Sequence, residues 1–245
     1  MFHPKKNEFF VRLYVASGDV WIRFSYNIIT GEIIEIQRIL SASSLSGSGR
    51  GSITFESYGR FFYALEIDVN QLKRFDVLNA VTGALTSVGT TAAGIYPQGV
   101  ACDPTGKFVY VTNWSSATVQ AYTINASTGA LTSVGAVSTG TNPFTVACDP
   151  TGKFVFVPNW GSGTVQAYTI NASTGALTSV GTTATEVNPY GVACDPTGKF
   201  VYVTNFTSST VQAYTINAAN RSGLHDQCSY RSINLGGGGG NGDTA

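Results

Sequence analysis

Charge is scarce in this 245-residue chain: charged residues make up 11% of it, and 14 acidic side chains balance 14 basic ones. Without a basic excess there is no electrostatic footprint for a nucleic acid or an anionic membrane surface. No apolar run approaches the ~20 residues that a membrane-crossing helix needs, so no membrane span is expected. Histidine is nearly missing, with only His3 and His225, one in each flank. No Cys-x-x-Cys pair is present, which removes the usual zinc and dithiol signatures. No segment of helical length carries an apolar period of 3.6 residues, which argues against helices. The N-terminus begins basic, but its apolar run is short and interrupted by Arg12. With no small-residue cleavage site after it, no signal peptide is read, and the compartment stays open.

What the chain does have is a repeat. The stretch from Ala101 to Gly135, ACDPTGKFVYVTNWSSATVQAYTINASTGALTSVG, returns almost letter for letter from Ala147 to Gly181. It begins again at Ala193 and fails after Asn217. Cys102, Cys148 and Cys194 are each 46 positions apart, as are Gly83, Gly129 and Gly175. A period of this size marks a propeller or an array. Each copy divides into four short β-type runs. GVACD is followed by the turn DPTG, in which Asp103 bonds local backbone, Pro104 sets φ and Gly106 takes the left-handed position. KFVYVTN is aromatic and β-branched; TVQAYTIN and ALTSVG follow, separated by NASTG. Phe108, Val109, Tyr110 and Val111 are apolar on both faces, as suits a sheet packed between two neighbours.

VYVTN, with DPTGKF before it and STGALTSVG after it, closely resembles the YVTN-type repeat of lactonase-like β-propellers. That family includes bacterial 6-phosphogluconolactonases and many extracytoplasmic proteins, with members both inside and outside the cytoplasm. The resemblance covers roughly residues 9–218. It implies an all-β fold, a propeller of four-stranded antiparallel blades, usually seven in complete members. About five blades can be placed here, at 9–40, 52–90, 97–137, 143–183 and 189–217. The first lacks its inner strand and the last its outer one. Residues 41–51 form a Ser/Gly connector, and 218–245 read as an irregular Gly-rich tail containing Gly236 to Gly240. Back-translation shifted by one base from Asn220 permits a strand-like continuation. The expectation is therefore a truncated or open propeller with an out-of-frame tail, whose uncovered blade ends drive self-association.

In propellers the turn after the second strand and the connector between blades share one rim. It would carry Asn113 with Trp114, Asn159 with Trp160, Asn205 with Phe206, and the connector residues Gln98, Phe144 and Tyr190. Aromatic faces beside amides suit a small neutral polar ligand such as a sugar, or a protein partner. The competing reading is structural: asparagines that cap turns and rings that pack on the next blade. Cys102, Cys148 and Cys194 occupy equivalent inner-strand positions. At about 8–10 Å apart they exceed the ~7 Å Cα limit for a disulfide, and they read as small buried hydrophobes rather than metal ligands; Cys228 is incidental. No cofactor or metal is expected. Sequons at Asn113, Asn125, Asn171, Asn205 and Asn220 follow from the repeat itself.

Lactone hydrolysis needs a base for water and a donor for the oxyanion, and no histidine or arginine lies within the near-identical repeats. The divergent blade offers Arg60, Glu66, Asp68, Lys73 and Arg74, read as a solvated edge of paired charges. Two functions remain in view. One is a non-enzymatic binding or structural module, possible as part of a larger lactonase-like protein. The other is a hydrolase acting on a sugar lactone such as 6-phosphogluconolactone.

Overall fold

Aromatic and β-branched residues fill the second run of every repeat, and each such run is a strand. The computed structural model describes residues 8–15, 18–26, 33–40, 52–58, 60–77, 85–216 and 224–225. Side chains are described for 52–58, 60–76 and 87–216. Blade 1 comprises β1 (Glu8–Val15), β2 (Gly18–Tyr26) and β3 (Ile33–Leu40). Blade 2 comprises β4 (Ile53–Phe55), β5 (Phe61–Glu66), β6 (Gln71–Val77) and β7 (Leu85–Ala92). Blade 3 runs through β8 (Pro97–Cys102), β9 (Phe108–Asn113), β10 (Thr118–Ile124) and β11 (Leu131–Ser138). Blade 4 has β12 (Ala147–Cys148), β13 (Phe154–Asn159), β14 (Thr164–Ile170) and β15 (Leu177–Ala184). Blade 5 has β16 (Pro189–Cys194), β17 (Phe200–Asn205), β18 (Thr210–Ile216) and β19 (Leu224–His225). Each is a separate antiparallel sheet with its strands in chain order. Among the described residues the sole helical element is a 3-10 turn at Ile67–Val69.

The all-β propeller expectation therefore holds, with one difference at the last blade. Its outer strand is present as β19, where Leu224 pairs with Ile216 and His225 with Thr215. This short pairing falls in the stretch read as irregular tail, because its sequence has no likeness to ALTSVG. The connector 41–51, Cys228 and Gly236 to Gly240 lie outside the described residues.

The turns are built as their residues dictate. Asp149 Oδ1 accepts the N–H groups of Lys153 at 2.8 Å and Phe154 at 2.7 Å, so one carboxylate starts the second strand. Its Oδ2 accepts the Thr151 N–H and the Thr151 hydroxyl. Asp103 and Asp195 repeat this set. At Asp195 the Thr197 hydroxyl, with the Phe200, Thr197 and Lys199 N–H groups, lowers the carboxyl to about 2. Gly106, Gly152 and Gly198 close these turns at φ +71, +71 and +70, the left-handed region expected of them.

Blades stack by a fixed rule. Phe61, Tyr63 and Leu65 of blade 2 pack on Val109, Val111 and Tyr122 of blade 3. Phe108 and Tyr110 of blade 3 pack on Val155, Val157 and Tyr168 of blade 4. Phe154 and Phe156 of blade 4 pack on Val201, Val203 and Tyr214 of blade 5. All six residues of β5, β9 and β13 are buried, as two-sided packing requires. Tyrosine hydroxyls fasten the blades. Tyr63 donates to the Gly129 carbonyl at 2.8 Å and Tyr110 to the Gly175 carbonyl at 3.1 Å, each reaching the next blade. Tyr122, Tyr168 and Tyr214 donate backwards to the carbonyls of Ala92, Ser138 and Ala184. The cysteines sit at these interfaces as free thiols. Burial raises Cys102 and Cys148 and pushes Cys194 up to about 12.

Blade 4 departs from its neighbours at the inner strand. Thr112 and Thr204 hydroxyls accept the N–H of Gly99 and Gly191, holding β8 and β16 at six residues. The equivalent residue is Pro158, which has no hydroxyl, and β12 shrinks to two residues with a lone bridge from Pro143 to Asn159.

Candidate functional site

The end of the second strand and the connector before each blade meet on one rim. Tyr96, Asn142 and Asn188 take left-handed φ values of 58, 54 and 58° in those connectors. Their carbonyls accept the backbone N–H of Trp114, Trp160 and Phe206, each at 2.9 Å. The other rings enter through Pro143 and Pro189. The Phe144 carbonyl accepts the Thr112 hydroxyl at 2.6 Å, and the Tyr190 carbonyl accepts the Thr145 hydroxyl at 2.9 Å. In β16 a register shift between Pro189 and Gly191 makes Tyr190 the extra residue; Gln98 is its counterpart in β8.

These constraints merge five rings from three blades into one belt. Trp114 meets Phe144 edge-on at 5.5 Å, and Phe144 lies 4.0 Å from Tyr190. Trp160 sits between them, 6.3 Å from Trp114, 5.9 Å from Tyr190 and 5.5 Å from Phe206. Tyr190 and Phe206 complete it at 6.1 Å. Trp114, Phe144, Trp160 and Tyr190 are half-buried, and Phe206 is 67% exposed.

The amides on this rim behave differently. Asn113, Asn159 and Asn205 are at most 2% exposed. Their Nδ2 groups donate to the hydroxyls of Thr118, Thr164 and Thr210, and Asn205 donates also to Gln212. Their Oδ1 atoms, with Oε1 of the buried Gln98, have no hydrogen-bond partner. The structure thus brings all eight candidate residues to one rim, with the rings outward and the amides beneath.

In the divergent blade, two of the charges read from the sequence as a solvated edge are enclosed instead. Glu66 ends β5 where asparagine ends β9, β13 and β17, and it is 5% exposed. It accepts from Gln71 Nε2 at 2.8 Å and pairs with Lys73 Nζ at 3.5 Å. The charges there are not one solvated edge. Arg60 pairs with Glu56 at the opposite turn, while Arg74 donates to the Val88 carbonyl. The signal available was register: Glu66 and Lys73 take the positions of Asn113 and Gln120. Among the described residues no group of three or more His, Cys, Asp or Glu side chains could hold a metal ion.

Four-stranded antiparallel sheets stacked face to face are the architecture of a β-propeller. A family model described as "Lactonase, 7-bladed beta-propeller" matches residues 1–148 and 139–229. The chain belongs to that family. No curated protein matches it. Among solved structures it is similar to a Bacteroides uniformis protein described as a "putative 6-phosphogluconolactonase", at 18% identity and TM-score 0.75, covering 90% of this chain and 67% of that one. It is similar also to the periplasmic gluconolactonase of Pseudomonas aeruginosa, at 17% identity and TM-score 0.73, covering 91% and 66%. A chain of a nidogen/laminin complex aligns at 16% identity and TM-score 0.61, covering 92% and 76%. The chain spans about two thirds of the length of the two lactonase-type structures.

Proposed function

We propose that this chain is a lactonase-type hydrolase that takes a sugar lactone on the rim carrying the aromatic belt. The belt is the observation behind this reading, because half-exposed rings stack on the C–H faces of a sugar ring. Family membership and the two lactonase-type neighbours favour hydrolysis over binding alone. Hydrolysis requires a base to take a proton from water and a cation or N–H to hold the oxyanion. Glu66 is the candidate base and Lys73 the candidate oxyanion donor. The water oxygen bonds to the lactone carbonyl carbon as Glu66 takes its proton. The oxyanion then collapses, the ring C–O bond breaks, and the departing alkoxide regains the proton, leaving an open-chain hydroxy acid.

Acid release from glucono-δ-lactone and its 6-phosphate, followed by pH-stat against the spontaneous rate, tests this. Turnover above background is expected, and Glu66→Gln should lower kcat on the order of 100-fold. Background rates for the native chain overturn the hydrolase reading. The second reading, a binding module, is favoured by the enclosed asparagines, whose amides serve the fold. It expects quenching of Trp114 and Trp160 fluorescence by the sugar without turnover.

A further inference from the structure

One position of the rim connectors carries two different chemistries. Gly94 holds it before blade 3, Gly140 before blade 4 and Glu186 before blade 5. A Cβ on Gly94 would stand 2.6 Å from Asn113 Cγ, and one on Gly140 2.8 Å from Asn159 Cγ, so those connectors lie directly over the enclosed amides. The connector of blade 5 closes with the same backbone bonds as that of blade 4. Glu186 N–H donates to Gln212 Oε1 at 2.8 Å, as Gly140 N–H donates to Gln166 Oε1 at 3.1 Å. Val187 N–H donates to Ser208 Oγ, as Thr141 N–H donates to Ser162 Oγ. Closure therefore needs no side chain at this position, and the Glu186 carboxylate is an addition to it. Glu186 is half-buried, and its Oε2 accepts the Thr210 hydroxyl at 2.6 Å. Thr210 accepts in turn from Asn205 Nδ2, whose own Oδ1 is enclosed and unpartnered. Among the described residues no cation pairs with Glu186. Two residues on, Asn188 donates to the Trp160 carbonyl at 3.3 Å, and the same connector delivers the ring of Tyr190. The carboxylate thus marks the Trp160 and Tyr190 side of the belt.

We propose that Glu186 is a specificity-determining residue of the belt, one that accepts hydroxyl groups of a neutral sugar and repels a phosphate on it. The proposal rests on the reading of the belt as a sugar platform, and it holds whether the sugar is hydrolysed or only bound. A sugar laid on an aromatic face turns its hydroxyl groups outward as donors. A carboxylate is an acceptor only, and its bonds to such donors are stronger than those between neutral groups. The N–H groups of Thr185, Glu186 and Val187 are all fastened, so the carboxylate stands in place before a ligand arrives, which lowers the ordering cost of binding. A phosphate brought to the same place meets a like charge in a partly desolvated setting, which selects against phosphorylated sugars.

Tryptophan fluorescence quenching of the full chain by D-glucose and by glucose 6-phosphate is the experiment, beside Glu186→Gln. Neither probe carries a lactone, so binding is read apart from turnover. The native chain should bind glucose about tenfold more tightly than its 6-phosphate. Glu186→Gln should shrink that ratio about tenfold, weakening glucose and strengthening the 6-phosphate. Where the variant fails to fold, salt replaces it: 6-phosphate binding to the native chain should tighten as salt screens the like charges, with glucose binding unmoved. Equal or tighter native binding of the 6-phosphate overturns the proposal. So does a ratio that Glu186→Gln leaves intact, 6-phosphate binding that ignores salt, or quenching by neither sugar. Lactone turnover by pH-stat is scored separately. Background rates with the glucose preference intact remove the hydrolase reading and leave Glu186 as the selector of a binding site; turnover with an unchanged ratio sinks this proposal alone.

Discussion

Gly175→Ala should destabilise the protein far more than Gly163→Ala, although both glycines are left-handed. At Gly175 φ is +76°, and an added Cβ would stand 2.3 Å from Cδ1 and 2.7 Å from Cε1 of Phe108. Carbon atoms prefer about 3.5–4.0 Å. Phe108 is 4% exposed and wedged among Tyr110, Val155 and Leu177, so its ring has nowhere to go. The left-handed backbone costs an alanine about 1–2 kcal/mol, and overpacking of this kind adds about 1–3 kcal/mol. The expected loss is about 2–5 kcal/mol, read as a lower urea midpoint at constant m-value. Gly163 has φ +61° and its nearest atom, the Glu186 carbonyl oxygen, lies at 4.0 Å. Its counterparts in blades 3 and 5 are already Ala117 and Ser209, at φ 50 and 52°. Only the backbone component remains there, partly offset by the stiffer unfolded chain, so the loss is at most about 1 kcal/mol. Phe108→Leu in the Gly175→Ala background should recover part of the difference, since the two sites share one contact. Equal losses at the two glycines would refute the assignment of Gly175 as the socket for a neighbouring ring.

The fastening tyrosines give a matched pair: Tyr63→Phe should cost about 1 kcal/mol by orphaning the Gly129 carbonyl, whereas Tyr202→Phe should leave the urea midpoint unmoved in dilute solution. Asp149→Ala removes a buried carboxylate that accepts the N–H groups of Lys153 and Phe154, a loss of about 2–4 kcal/mol by thermal or urea denaturation. A small loss there would mean the turn holds by backbone bonds alone. The thiols predict alkaline sensitivity. Burial raises all three above their ordinary 9.0, Cys194 to about 12, so the folded state keeps protons that the unfolded chain releases. Their contribution is complete below about pH 9 and is lost as pH climbs toward 12. Melting temperature should fall between pH 9 and 11, and a flat profile would contradict the placement of these half-buried thiols between blades. The same burial should keep native cysteines slow toward a thiol reagent.

The sequence made the repeat legible because its punctuation is chemical. The aspartate carboxylate and the left-handed glycine of DPTG act where a local reading puts them, and Val109 and Val111 bury as a two-sided strand demands. The rim was legible too, since Trp114, Trp160 and Phe206 follow the strand they end. What escaped was non-local. The same FVYVTN is covered on both faces in β9 and on one face in β17, so Tyr110 and Tyr202 look the same in sequence and differ in space. Glu66 and Lys73 were visible as charges of the divergent blade, but their place on the rim shows only once β5 and β9 are set in register. Pro158 replaces a hydroxyl that holds an inner strand in the neighbouring blades, an effect that depends on a contact between strands and not on local pattern. The short pairing of Leu224 and His225 carries no β-type pattern to find.

The tyrosine-to-glycine fastenings span 66 and 65 residues, and each joins one blade to the next. The interface of blades 2 and 3 is thus written again between blades 3 and 4, one repeat further along the chain. Unequal recombination within the gene that removes or adds one repeat would therefore join two surfaces already matched to each other. Length in such a lineage can drift in whole 46-residue steps without any new side chain being selected. Near-identity of blades 3 and 4 is the trace that a recent step of this kind would leave.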